Sequence, residues 1–205
     1  MKLRRYFLIY LLLSVLPAGL ASASTPETPV ERLHTSLIEA MKSGDSQTYL
    51  ERYDALSPAV NEAHHFALIA RVVLGSHWSQ LESPQKAQFV RQLTDLAVSN
   101  YADEFNAHQG EAFVPQEGRE LKRGQRLVRA VLERPGKDAV RFDYVVALDR
   151  QGNWGIINVI VDGVSDLAVK RAEYQQVIDD DGFEALIARM EAQIAERGGR
   201  GSTSG

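Results

Sequence analysis

The 205-residue sequence contains no cysteine. That removes disulfides, thiolate metal sites and a thiol nucleophile, so the fold must be held by its apolar core alone. The sequence also has no Gly-x-Ser-x-Gly, no glycine-rich phosphate loop and no His-Glu-x-x-His. Those absences exclude the common signatures of acyl-transfer, nucleotide and zinc-protease chemistry. Histidine is sparse: His34, His64, His65, His77 and His108. Adjacent His64 and His65 cannot both face one ion from a helix or strand. None of the others stands at ligand spacing from a carboxylate, so no metal site is expected. Asp179-Asp180-Asp181-Gly182 starts like a calcium loop but lacks the alternate spacing and the distal Glu. Capping of the helix that follows is the better reading. Basic charge is short too, with 23 Lys and Arg against 27 Asp and Glu. A chain with that balance lacks the footprint that nucleic acid requires.

The N-terminus carries an apolar run, residues 6–16, too short for a comfortable membrane span. Lys2, Arg4 and Arg5 precede it, and Pro17 and then Ala21-Ser22-Ala23 follow. A basic start, a short apolar stretch and a small-x-small site describe an export signal over residues 1–23, cleaved after Ala23, with an uncleaved anchor as the alternative. No cysteine follows the run, which excludes lipoprotein anchoring. Without those three basic residues the balance becomes 20 against 27, or −7. An acidic, cysteine-free, exported domain over residues 24–197 fits the periplasm of a Gram-negative bacterium. Residues 198–205 (GGRGSTSG) read as a flexible tail.

The domain changes period along its length. Val30, Leu33, Leu37, Ile38 and Met41 stand at helical spacing, and Ser43-Gly44-Asp45 ends that helix. Tyr49, Leu50, Tyr53 and Leu56 predict a second, short helix closed by Ser57-Pro58. Residues 66–74 (FALIARVVL) are apolar almost all round, the mark of a helix buried on most sides, with Arg71 its only charge. Ser83-Pro84 opens the longest helix, whose stripe is Phe89, Leu93, Leu96, Ala97, Tyr101 and Phe105, ending near residues 108–110. Residues 125–132 and 140–148 then read as strands separated by Arg134-Pro135-Gly136-Lys137. Residues 154–161 (WGIINVIV) form another strand, apolar at nearly every position, and residues 111–117 a weaker one. Two helices close the chain, one over about residues 165–178, the other carrying Phe183, Leu186, Ile187, Met190 and Ile194. This order is α+β: an antiparallel sheet of about four strands packed with N- and C-terminal helices, which would leave a cavity between them if the sheet is strongly curved. The continuous run at 154–161 demands cover on both faces. The polar inventory assembles no reaction. Tyr144 and Asp143, for example, point to opposite faces of one strand.

Three stretches carry a resemblance: "ARVVLGSHWSQLESPQKAQFVRQL" (70–93), "NYADEFNAHQGEAF" (100–113) and "GNWGIINVIVDGVSDLAVKRAEYQQVI" (152–178), with "GFEALIARM" (182–190) after it. In order and spacing they resemble the periplasmic MlaC family, also called the toluene-tolerance family. Leu74-Gly75 with Trp78, and Asp162-Gly163-Val164-Ser165 with Arg171 downstream, are the more specific combinations. Residues 165–171 look closer to a subgroup associated with hopanoid biosynthesis. Asn158 departs from the pattern, since the family commonly has Asp there.

The resemblance implies a lipid carrier and not an enzyme, with no cofactor. It would be a monomer that binds phospholipid in a deep apolar pocket. Its partners would be an inner-membrane ABC transporter complex and an outer-membrane lipoprotein complex, and its work would maintain outer-membrane lipid asymmetry. Pocket candidates are the apolar residues on facing elements. The helices supply Leu68, Val72, Leu93, Ala97, Tyr101 and Phe105, and the strands Val128, Phe142, Tyr144, Val146, Ile157, Val159 and Val161. Val164 and Ala168 lie beyond the sheet. Three alternatives stand beside this reading: a carrier of a hopanoid-related lipid, a curved-sheet, isomerase-like enzyme acting on a small apolar substrate, and a periplasmic interaction protein with a solid core.

Overall fold

The computed structural model describes residues 25–202. The expected export signal and the last residues of the expected tail lie outside them. Helix α1 (Thr28–Lys42) buries Val30, Leu33, Leu37 and Met41 along one stripe. Helix α2 (Tyr49–Ala63) starts in a capping box: Thr48 Oγ1 accepts from the Glu51 amide, and the Glu51 carboxylate accepts from the Thr48 amide at 2.7 Å. It does not stop at Ser57-Pro58 as the sequence suggested, but carries Pro58 in its interior. Leu56, Val60 and Ala63 stand on one buried face, and that burial offsets the hydrogen bond a proline removes. Helix α3 (Phe66–Leu74) and the short α4 (His77–Gln80) lead to α5 (Ser83–Glu104). Glu82, not Ser83, caps α5, and its own amide donates to Gln85 Oε1 at 2.9 Å.

The sheet has five strands in chain order, all antiparallel. They are β1 (Ala112–Glu120), β2 (Arg126–Glu133), β3 (Val140–Leu148), β4 (Trp154–Val161) and the two-residue β5 (Val164–Ser165). The last was not expected from sequence, being too short to show a period. Two irregularities in register break the ladders, between Gln116 and Arg119 in β1 and opposite Val145–Val146 in β3. Bulges of this kind bend strands and sharpen twist. Gly118 permits the first, because a Cβ there would meet the Leu127 carbonyl oxygen at 2.4 Å. The outer edge of β4 is covered at both ends. β5 pairs with Ile160 and Val161, and the His65 amide donates to the Ile156 carbonyl at 2.9 Å. Gly155 makes that second contact possible, since the His65 ring occupies the place of a Cβ.

Helix α6 (Asp166–Asp181) starts on the Ser165 hydroxyl, which accepts from the Ala168 amide, and α7 (Phe183–Ser202) returns across α5. The acidic run is not the cap of α7. It forms the last turn of α6, where Asp179 meets His77 at 3.2 Å and Asp181 meets Arg189. Gly182, at φ 88°, makes the reversal between the two helices. Helix α7 also continues past Gly198 to Ser202, where the sequence suggested a tail. The core lies between these helices and the inner face of the sheet, around Leu33, Leu37, Phe89, Leu96, Tyr144, Leu186 and Met190.

Candidate functional site

A cavity of about 650 Å³ opens between α5, the start of α6 and the inner face of β2–β4. That volume falls within the range of small-ligand pockets. The lining is built by two periods. On α5, Leu93, Ala97, Tyr101 and, at its C-cap, Phe105 recur every four residues and face the sheet. On β4 the register pairs Ile156 with Val146 and Asn158 with Val145, so Ile157 is the extra residue of a bulge. The phase shift brings Ile156 and Ile157 together onto the cavity, followed by Val159 and Val161. This accounts for much of the unbroken apolar run in β4: successive residues share one cavity. Phe142, paired with Val161, completes the patch.

Thus Leu93, Ala97, Tyr101, Phe105, Phe142, Ile157, Val159 and Val161 are brought together as the sequence suggested. The other candidates are not. Val128, Tyr144 and Val146 occupy the other end of the same inner face, packed solid and no more than 8% exposed. There α1 covers the sheet, and the Tyr144 hydroxyl lies 2.8 Å from His34 Nε2. Leu68 and Val72 stand on the outward side of α3, because its buried stripe is Phe66, Ala70 and Val73–Leu74. Leu68 lines a separate shallow cleft with His65, Arg71 and Leu148, and Val72 is 42% exposed. The helix is therefore not buried on most sides. Val164 is 62% exposed beyond the β4–β5 turn, and Ala168 faces solvent from the first turn of α6.

The lining also includes residues that the sequence reading passed over. Phe66 and Ile69 come from the inward side of α3, and Leu132 and Val140 from the ends of β2 and β3. The inward side of α3 was available from its own spacing; the strand ends were visible only as ordinary core positions. Polar groups enter at the rim. Arg134 and Lys137 come from the β2–β3 turn, Glu104 and Glu111 from either side of the α5–β1 connection, and Lys170 from α6 beside Asp166. Arg134 donates to the Asp138 carbonyl at 2.8 Å. Asn158, where the resemblance led one to expect a carboxylate, has a structural task. Its Oδ1 accepts from Ser165 Oγ at 3.1 Å and from the Leu167 amide at 3.2 Å, tying β4 to the start of α6.

His64, on the wall at the α2–α3 junction, is the one histidine of the lining; burial lowers its pKa to about 4. Its Nδ1 donates to the Val60 carbonyl at 2.9 Å, and Tyr101, whose hydroxyl is 3.4 Å from Nε2, is raised well above the usual phenol range by burial. A neutral imidazole facing a protonated phenol supplies neither a strong base nor an activated nucleophile. Among the described residues no group of three His, Asp or Glu side chains could hold a metal ion, and no helix is long and apolar enough to cross a membrane.

The family model described as "MlaC protein" matches residues 31–192. The chain belongs to the MlaC family. Helix and sheet elements from most of α1 to the first half of α7 fall inside the match. Among solved structures, a phospholipid-binding protein from Ralstonia solanacearum, determined in complex with a phospholipid, shares the fold. The TM-score is 0.74 over 85% of this chain and 99% of that one, at 16% sequence identity. No curated protein matches the sequence.

Proposed function

We propose that this chain is a periplasmic lipid carrier, exported by its N-terminal signal, that holds the acyl chains of a phospholipid in the cavity. It would ferry the lipid between the inner-membrane and outer-membrane complexes of an ABC transport system. The observation that carries this reading is the apolar cavity between sheet and α5, set in the MlaC fold. The phospholipid-bound relative of the same fold supports the choice of cargo.

The physics asks for this and little else. A phospholipid's chains hold roughly thirty methylenes, and at about 0.8 kcal/mol each their exposure to water costs on the order of 24 kcal/mol. A carrier must remove that cost without binding so tightly that release fails. An apolar wall meets the first need, and a wall with few directional contacts meets the second. The charged side chains at the rim leave the head group in water. Catalysis has no part in such a task, which agrees with the inert His64–Tyr101 pair.

Native mass spectrometry of gently purified protein, followed by extraction and identification of the lipid, tests the proposal. About one lipid per chain is expected, and the loaded form should melt higher than the delipidated one, because ligand binds only the folded state. A phospholipid in the extract supports the reading, whereas a hopanoid replaces its cargo. Identical melting of the two forms with no lipid recovered, or turnover of small ketones, overturns it.

A further inference from the structure

Two spaces in the molecule share one thin wall. Behind the cavity, between α3 and the β3–β4 turn, lies the shallow cleft of about 490 Å³ that Leu68 and Leu148 line. His64 and Phe66 face both spaces. Strand β3 gives the direction, running from Val140 at the charged rim of the cavity to Leu148 in the cleft. The rim is therefore the mouth, and the wall is the far end, where a lipid's tails finish. The backbone of that wall is pinned to β4: His64 bridges Ile156, and the His65 amide donates to the Ile156 carbonyl at 2.9 Å. The His64 ring is pinned too, by Nδ1 on the Val60 carbonyl. The Phe66 ring, stacked on His64 at 5.2 Å between centroids, is pure hydrocarbon and has no polar tether. Phe66 is the first residue of α3, so no preceding turn of its own helix blocks a second staggered rotamer.

The length of the cavity makes that ring decisive. From Val161 near the rim to Ile156 at the wall, β4 spans about 16 Å, at roughly 3.3 Å per residue. An acyl chain of roughly fifteen methylenes extends over about 18 Å, at about 1.2 Å per bond. Its end reaches the wall, and a longer chain must buckle or pass it. We infer that Phe66 gates the tail end of the cavity and admits the ends of longer acyl chains to the cleft. The cleft suits such an occupant, because Ala67, Leu68 and the 48% exposed Leu148 give it apolar surface. Three of its polar members are engaged elsewhere. Asp149 accepts from the Gln151 and Asn153 amides at 2.8 and 2.9 Å, His65 Nε2 lies 3.0 Å from the Asn153 carbonyl, and Arg71 stands over the Trp78 ring. Exposed Arg150 and Gln151 leave the outer side open to water. This inference rests on the carrier reading of the cavity and assigns what sets the chain lengths it takes.

The test uses phosphatidylcholines with one chain ended by an alkyl diazirine, bound to the mature protein, irradiated and mapped by mass spectrometry. The labelled chain is dodecanoyl, hexadecanoyl or docosanoyl. In the wild type the dodecanoyl end should label cavity residues such as Tyr101 and Val159, and the docosanoyl end Leu68 or Leu148. Phe66→Ala should carry the hexadecanoyl label from Ile156 into the cleft as well. Leu148→Glu puts a carboxylate into the cleft and leaves the cavity wall as it is. It should raise the concentration of docosanoyl lipid that displaces a fluorescent fatty acid by about fourfold or more, the worth of one methylene's cover. Dodecanoyl lipid should displace the probe as in the wild type. This variant carries the test if circular dichroism shows Phe66→Ala misfolded. A docosanoyl label confined to the cavity or its rim overturns the gate and leaves the carrier reading intact. A cleft label from the dodecanoyl probe does the same, since it shows adsorption from outside. So does a hexadecanoyl label unmoved in folded Phe66→Ala, or docosanoyl displacement unchanged by Leu148→Glu. If no probe labels the cavity, the carrier reading falls and this inference falls with it.

Discussion

The two ends of the inner sheet face are alike in apolar character and opposite in fate. At one end Val128, Tyr144 and Val146 are buried, with the Tyr144 hydroxyl bonded to His34 of α1. At the other, Phe142, Val159 and Val161 look across an open volume toward Leu93, Ala97 and Tyr101 of α5. Register places them on one continuous face: Tyr144 pairs with Val128 and Val159, and Phe142 with Val161. An apolar residue on a strand therefore says that a face is dry, and not whether protein or empty space dries it. That second fact depends on which helix lies opposite.

Tryptophan scanning across the face turns the contrast into numbers. The largest loss of stability is expected for Val146→Trp, at the closed end, where Val146 is fully buried. Overpacking costs typically 1–3 kcal/mol and occasionally more, and the volume change here is at the upper end. At about 2–4 °C per kcal/mol for a domain of this size, a fall in Tm of roughly 10 °C is expected by calorimetry. A variant that melted like the wild type would show slack space at that end.

A second experiment separates the ends by pH. His34 belongs to the closed end and His64 to the cavity wall, and burial lowers the pKa of each to about 4. Both are neutral in either state above the ordinary histidine pKa of about 6.5. As pH falls below that value the unfolded chain takes up protons that the folded chain refuses, so stability declines with falling pH down to about 4, where the native rings also titrate. The loss is on the order of 1–3 kcal/mol per histidine. Urea midpoints at pH 7 and pH 4.5 should differ, and less so in a His34→Gln or His64→Gln variant. Parallel slopes in all three proteins would show that neither imidazole is held neutral by the fold.

Val159→Trp, at the open end, should move stability least among the inner-face changes. The indole enters the cavity, so the delipidated protein should melt within about 2 °C of wild type. Its lipid content after purification should instead fall severalfold. Strong destabilisation without lipid would show that the cavity closes when empty.

How much of this was legible beforehand follows from the same contrast. The α5 stripe and the β4 run are strong periodic signals, and they supplied the facing walls. Pro58 looked like an end because a lone proline breaks isolated helices, while the burial of Val60 and Ala63 that outweighs it is a tertiary fact. The bulge at Ile157 left no mark in sequence. His34 acts through Tyr144, 110 positions away, so no local pattern announced it, while Asn158 binds Ser165 and Leu167 just past a turn and β5 is too short to show a period. Leu68, Val72, Val164 and Ala168 failed for another reason: apolar character was read as inward orientation, although folded surfaces are themselves largely apolar.

That last error yields the smallest expected effect. Val72 is 42% exposed on α3 and Val164 is 62% exposed beyond the β4–β5 turn. Neither lines the cavity, so serine at either position removes little buried area and unpairs no polar group. Surface changes of this kind stay within about 0.5 kcal/mol, which corresponds to no more than about 2 °C in Tm. The lipid content of both variants should equal that of the wild type, measured beside Val159→Trp in one mass-spectrometric series. If Val72→Ser lost lipid as Val159→Trp does, α3 would have to rotate its outward side toward the cavity during loading. The wall drawn from Phe66 and Ile69 would then describe only one of two arrangements. Equal lipid content in wild type and both serine variants keeps the boundary of the site at the inward stripe of α3.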